Sequence, residues 1–158
     1  MSERGQKMSG FEEEFTDAQT AMIAAAVDYA SGQADDIYIY FSTLLDMLTT
    51  RVFFSRRGCA YEVHKLPGID TSIQAQRVML DAFKPELDRI WQGAIDHEQP
   101  IPREGWIHYH VGGGVDARYS YQDIELDDDP AWDEKVDAWM ESVQKELGAG
   151  LGESGQRP

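Results

Sequence analysis

Two spacings of apolar residues alternate along the chain. A three-to-four-residue recurrence marks three helices, and an every-second-residue recurrence marks five strands between them. Met22, Ile23, Ala26 and Val27 form the first helical stripe, in an alanine-rich run. Thr16 and Gln19 before it have capping-box spacing, and Gly32 after it supplies a left-handed stop. Ile37–Ser42, Met47–Ser55 and Cys59–Lys65 are rich in β-branched and aromatic residues and read as strands. Arg57-Gly58 is the hairpin turn between the second and third, and Pro67-Gly68 ends the third.

The second helix is expected to start at Thr71, again with Gln74 at capping-box spacing. Its apolar face is read as Ile73, Val78, Met79, Ala82 and Phe83, continuing after a kink or restart at Pro85 through Leu87, Ile90, Trp91 and Ile95. From Trp106 the period changes to two. Ile107, Tyr109 and Val111 point one way, and Trp106, His108 and His110 the other. Gly112-Gly113-Gly114 fits a hairpin loop, and Val115, Ala117, Tyr119 and Tyr121 share one face of the return strand. Asp129 and Pro130 are suited to the cap and first turn of a last helix. Trp132, Val136, Trp139, Met140, Val143 and Leu147 form its stripe, and Gly148 its stop.

The element order is α-β-β-β-α-β-β-α. Short connections make the five strands an antiparallel sheet, an α+β fold with the helices expected on one face. Residues 1–10 and 149–158 are polar and aperiodic and read as disordered tails around one domain, 11–148. Charge changes this picture more than length does. Among 158 residues, 29 acids face 14 bases, a net charge of −15 that repels phosphate backbones and anionic membranes and attracts basic proteins. The single cysteine, Cys59, excludes an internal disulfide and reads as a buried structural thiol in a reducing compartment. No apolar run approaches the ~20 residues of a membrane span, and the polar start has no signal-peptide core, so a cytoplasmic protein is expected.

Three clusters invite chemistry. His108 and His110 project from one strand face, a spacing that suits a metal clip if His64 or Asp116 is brought near, or a metal-dependent enzyme built on that pair. Asp123, Glu125, Asp127 and Asp129 echo a calcium loop with Glu134 at its twelfth position, yet Asp128 replaces the required glycine and Pro130 stiffens the turn. Most prominent is the charge itself. From Asp116 to Glu146 eleven acids stand against Arg118, Lys135 and Lys145, more than half of the net charge. A few acids complement the helix dipole; so many read equally as a solvated face or as a field that orients a basic partner. An acidic adaptor fits the same charge pattern. Arg51, Arg56 and Arg57 form a small solubilising patch, and the glycine triplet lacks the lysine of a phosphate loop.

Several of these features occur together in one known pattern. A helix leads into a Tyr-rich strand (Ile37, Tyr38, Ile39, Tyr40) and a long helix follows. Then come a strand pair carrying Tyr119, Tyr121 and Asp123, an acidic loop and a closing helix with Trp139. From Thr16 to Leu147 the chain in this respect resembles the YezG-like immunity proteins, bacterial antitoxins of polymorphic toxin systems, several of whose toxins are nucleases. It departs from them at Ala34-Asp35-Asp36, where an aromatic is common, and in having Lys135 rather than an arginine before Trp139. The resemblance implies a non-enzymatic protein with no cofactor and no metal, whose partner is a cognate toxin. The acidic residues expected to meet that toxin are Asp123, Glu125, Asp127, Asp128, Asp129, Asp133 and Asp137.

Overall fold

The structure is a computed structural model. It describes residues 3–42, 49–121 and 132–156, with side chains described for 12–42, 49–121 and 134–148. The elements follow the expected α+β order: α1 (Glu3–Ala30), β1 (Asp36–Ser42), β2 (Thr49–Arg56), β3 (Cys59–Glu62), α2 (Ile73–Asp96), β4 (Glu104–His110), β5 (Val115–Ser120) and α3 (Trp132–Gln156). The strands form one antiparallel five-stranded sheet, ordered β3-β2-β1-β4-β5. No helix among the described residues is long and apolar enough to cross a membrane.

β1 is the middle strand, and every one of its residues is buried. Its Ile/Tyr alternation explains how. Ile37, Ile39 and Phe41 pack with Val52, Phe54 and Ile107 against Met22 and Ala26 of α1 and Met79, Phe83, Leu87 and Ile90 of α2. Tyr38 and Tyr40 turn the other way and pack with Phe53 against Val136 and Val143 of α3. The helices therefore cover both faces, two on one side and one on the other. This corrects the expected one-sided layering. The α3 stripe shows that a helix face is buried but does not say against which side of the sheet.

The two hairpins follow their turn residues. Arg57 and Gly58 take φ of 50° and 80°, the left-handed pair that a two-residue hairpin of matching twist requires. At the other hairpin Gly113 N–H donates to the His110 carbonyl at 2.8 Å while Gly112 sits at φ 79°, as a type II turn demands. Gly105 has a different reason for being glycine. A Cβ there would lie 2.2 Å from the ring of Phe41, its cross-strand neighbour.

Several boundaries and faces differ from expectation. Thr16 and Gln19 lie inside α1, because extending a helix by a residue is easier than nucleating a new one. Gln19 instead accepts a hydrogen bond from the Tyr119 hydroxyl. The stretches expected as loose tails are helical from residue 3 and as far as residue 156, so Gly148 is not a stop. The cap of α2 is Ser72 rather than Thr71, since the Ser72 hydroxyl accepts from Ala75 N–H at 3.1 Å. α2 continues through Pro85 as one helix, its stripe carried from Phe83 to Leu87. Ile73, Val78 and Ile95 are exposed. Val78 and Ile95 each stand one position, about 100° around the helix, from the buried Met79 and Ala94. β3 stops at Glu62, and Cys59 is exposed rather than buried, because it starts the sheet's edge strand.

Candidate functional site

The sheet face under α3 combines aromatic packing with buried polar groups. Period two places Asp36, Tyr38 and Tyr40 on this face, and the register aligns Asp36 with Ser55 and His110, and Tyr38 with Phe53 and His108. Asp36, only 12% exposed in its side chain, is the hub. Its Oδ1 accepts from His108 Nε2 at 2.8 Å and from His110 Nδ1 at 2.9 Å, and its Oδ2 accepts from the Ser55 hydroxyl at 2.7 Å. A carboxylate only accepts, so it fixes which ring nitrogen of each histidine carries hydrogen. Burial pushes the Asp36 carboxyl up. The hydrogen bonds from His108, Ser55 and His110, with the charge of His108, outweigh burial and hold it below its ordinary value.

The histidines thus share a face as their spacing suggests, but they converge on a carboxylate. Ser55 donates to Asp36 and not to an imidazole, so the three do not form a nucleophile-base-orienter chain. His64 follows β3 at the far edge of the sheet, within 3.5 Å of Glu62. Asp116 is the cross-strand partner of His108. Among the described residues no group of three or more His, Cys, Asp or Glu side chains is arranged to hold a metal ion.

Tyr38 lies between His108 and Phe53, stacked on each with ring centroids 4.5 Å apart, and the edge of Trp139 meets it from α3. Burial, with the negative charge of Asp36 behind it, raises the Tyr38 hydroxyl to about 12. One row further along, buried Glu104 accepts from the Tyr40 hydroxyl at 2.6 Å and from Lys135 Nζ of α3 at 2.9 Å. Burial first, then the Glu104 hydrogen bond and charge, push the Tyr40 hydroxyl well above its usual value. The ion pair ties α3 to β4 at a point where Lys135 keeps 19% exposure.

α3 packs on β1 and β2 but leaves an open cleft of about 670 Å³ over β4 and β5. Trp106, His108, Asp116 and Arg118 line its sheet side, and Glu134, Lys135, Trp139 and Glu146 its helix side. The Arg118 guanidinium sits 4.5 Å over the Trp106 ring, a cation–π contact. Along α3, Glu134 at the cleft, Asp137 and Glu141 are exposed.

Of the residues expected to contact a partner, Asp137 is described. It is 66% exposed and lies 4.0 Å from Arg51 of β2. Asp133 lies in α3, but its side chain is outside the described ones. Asp123, Glu125, Asp127, Asp128 and the expected cap Asp129, with the first-turn Pro130, lie outside the described residues, as does the calcium-like spacing they make. Sequence reasoning missed Asp36 and Glu104. The available signal was parity: Asp36 shares a face with Tyr38 and Tyr40, and Glu104 with Trp106 and His108. No protein-family model and no curated protein matches the chain in sequence.

Proposed function

We propose that the chain is a non-enzymatic immunity-type protein that binds a basic cognate toxin in the cytoplasm and blocks its active site or substrate channel. One observation carries this reading. Glu104 draws Lys135 inward from α3, so that Glu134, Asp137, Glu141 and Glu146 stand exposed along the helix against Lys145 as the exposed base among its described residues, and in sequence an acidic run precedes the helix. A field of one sign on a rigid helix accelerates encounter with a basic protein and orients it. If the toxin is a nuclease, these carboxylates stand where its substrate phosphates bind. The resemblance to YezG-like immunity proteins supports the same reading. The contact set is Asp123, Glu125, Asp127, Asp128, Asp129, Asp133 and Asp137.

The test is protection in cells. The chain is co-expressed with the product of the neighbouring reading frame, and survival is compared with that of a variant carrying Asp127→Lys, Asp128→Lys and Asp129→Lys. Wild type is expected to relieve lethality, and the variant, folded by circular dichroism, to protect at least tenfold less well. A neighbour that is not lethal, or equal protection by the variant, would sink the proposal.

A further inference from the structure

The two edges of the sheet are finished differently. At the β3 edge, Gln144 of α3 accepts from Ala60 N–H at 2.7 Å and donates to the Gly58 carbonyl, so a side chain occupies this edge. At the β5 edge, Val115, Asp116, Ala117 and Arg118 are all exposed. An open strand edge is a template for another strand unless something blocks it.

The hydrogen-bond phase of β5 is fixed by its hairpin. His110 N–H donates to the Gly114 carbonyl, and the register pairs His108 with Asp116 and Trp106 with Arg118. Antiparallel bonding alternates, so Gly114, Asp116 and Arg118 turn their backbone groups toward β4. Val115, Ala117 and Tyr119 turn theirs outward. Only strands that pair these outward residues can add to this edge.

We propose that the chain forms a two-fold dimer in which β5 pairs antiparallel with β5 of a second copy, centred on Ala117. In that register Ala117 meets its own copy, Val115 meets Tyr119, and Asp116 meets Arg118 on the cleft side. The neighbouring registers with the same bonding phase place Asp116 opposite Asp116 or Arg118 opposite Arg118. Like charges directly opposite are destabilising and opposite charges favourable, so charge selects the centred register. The centred register also covers Val115, a large apolar side chain left 45% exposed in the single chain. The net charge of −15 opposes association at long range, and added salt screens that repulsion more than it weakens pairs in contact. This assembly is independent of the toxin reading.

Sedimentation of the full chain from low micromolar to near-millimolar concentration tests it, with folding of each variant checked by circular dichroism. Wild type is expected to dimerise, more strongly as salt rises to physiological strength. Asp116→Arg weakens dimerisation by about tenfold, although it lowers the overall repulsion, and Arg118→Asp does the same. Combining the two restores the wild-type constant, because the pair is merely exchanged. Ala117→Pro removes an N–H that faces outward in the single chain, so it spares the monomer and abolishes the dimer. A wild type that stays monomeric, a dimer that Ala117→Pro leaves intact, or a double variant as weak as the single ones would overturn the proposal.

Discussion

The sheet face under α1 and α2 is closed with hydrocarbon: Ile37, Ile39, Phe41, Val52, Phe54 and Ile107 meet Met22, Met79, Phe83 and Leu87. The face under α3 interleaves Tyr38, Tyr40, Phe53 and Trp106 with Asp36, Ser55, Glu104 and His108. Hydrocarbon burial stabilises in proportion to area and is indifferent to direction. Buried polar groups gain little net stability but are costly if left unpaired, so they tolerate few arrangements. The first face accordingly supplies cohesion. The second holds α3 and its exposed carboxylates at one angle to the sheet, which a binding surface needs.

Substitutions separate the two roles. Phe83→Ala empties a fully buried site on the closed face and should lower the unfolding free energy by about 3–5 kcal/mol, measured in urea. Glu104→Ala, on the other face, leaves the Lys135 ammonium and the Tyr40 hydroxyl without their acceptor. The expected loss is about 2–3 kcal/mol, moderated by the partial exposure of Lys135. If Glu104→Ala cost nothing, the ion pair would not be what holds α3 to β4.

Asp36→Asn should act through pH. The Asp36 carboxyl is held below its ordinary value in the fold, so the unfolded chain takes up its proton first as pH falls. Its contribution is complete above the unfolded carboxylate value, about 3.9, and is lost as pH drops through the lower folded value. Wild type should therefore lose stability on acidification more steeply than Asp36→Asn in that window, as read from the urea midpoint at each pH. Identical slopes would remove Asp36 as the hub. The smallest effect is expected at Asp137, whose contact with Arg51 is long and exposed. Asp137→Asn should move stability by less than about 0.5 kcal/mol. A larger loss would make this carboxylate part of the frame rather than of the surface.

What the sequence disclosed follows from which signals are local. The turns at Arg57-Gly58 and Gly112 were readable because positive φ is a property of two or three residues. The buried Val136 and Val143 of the α3 stripe were readable because helical period is local too. Which sheet face α3 would cover was not, since both answers leave the stripe unchanged; the Ile/Tyr alternation of β1, apolar on both sides, was the neglected clue. Ile73 and Val78 were misplaced because apolar identity does not give rotation about the helix axis. Asp36 was passed over because its partners, Ser55 and His110, lie 19 and 74 residues away and meet it only through register. The candidate contact acids were legible as charge alone, and of these the structure adds the exposed placement of Asp137 near Arg51 of β2.

The claim that the outward carboxylates dock a basic toxin is tested most directly by association kinetics across a salt series. Wild type should associate with the toxin fast at low salt and slow steeply as salt rises. Asp137→Lys, and separately lysine at Asp127, Asp128 and Asp129, should reduce both the low-salt rate and the salt slope while the urea midpoint stays within error of wild type. Rates and slopes that match wild type in both variants would contradict the account.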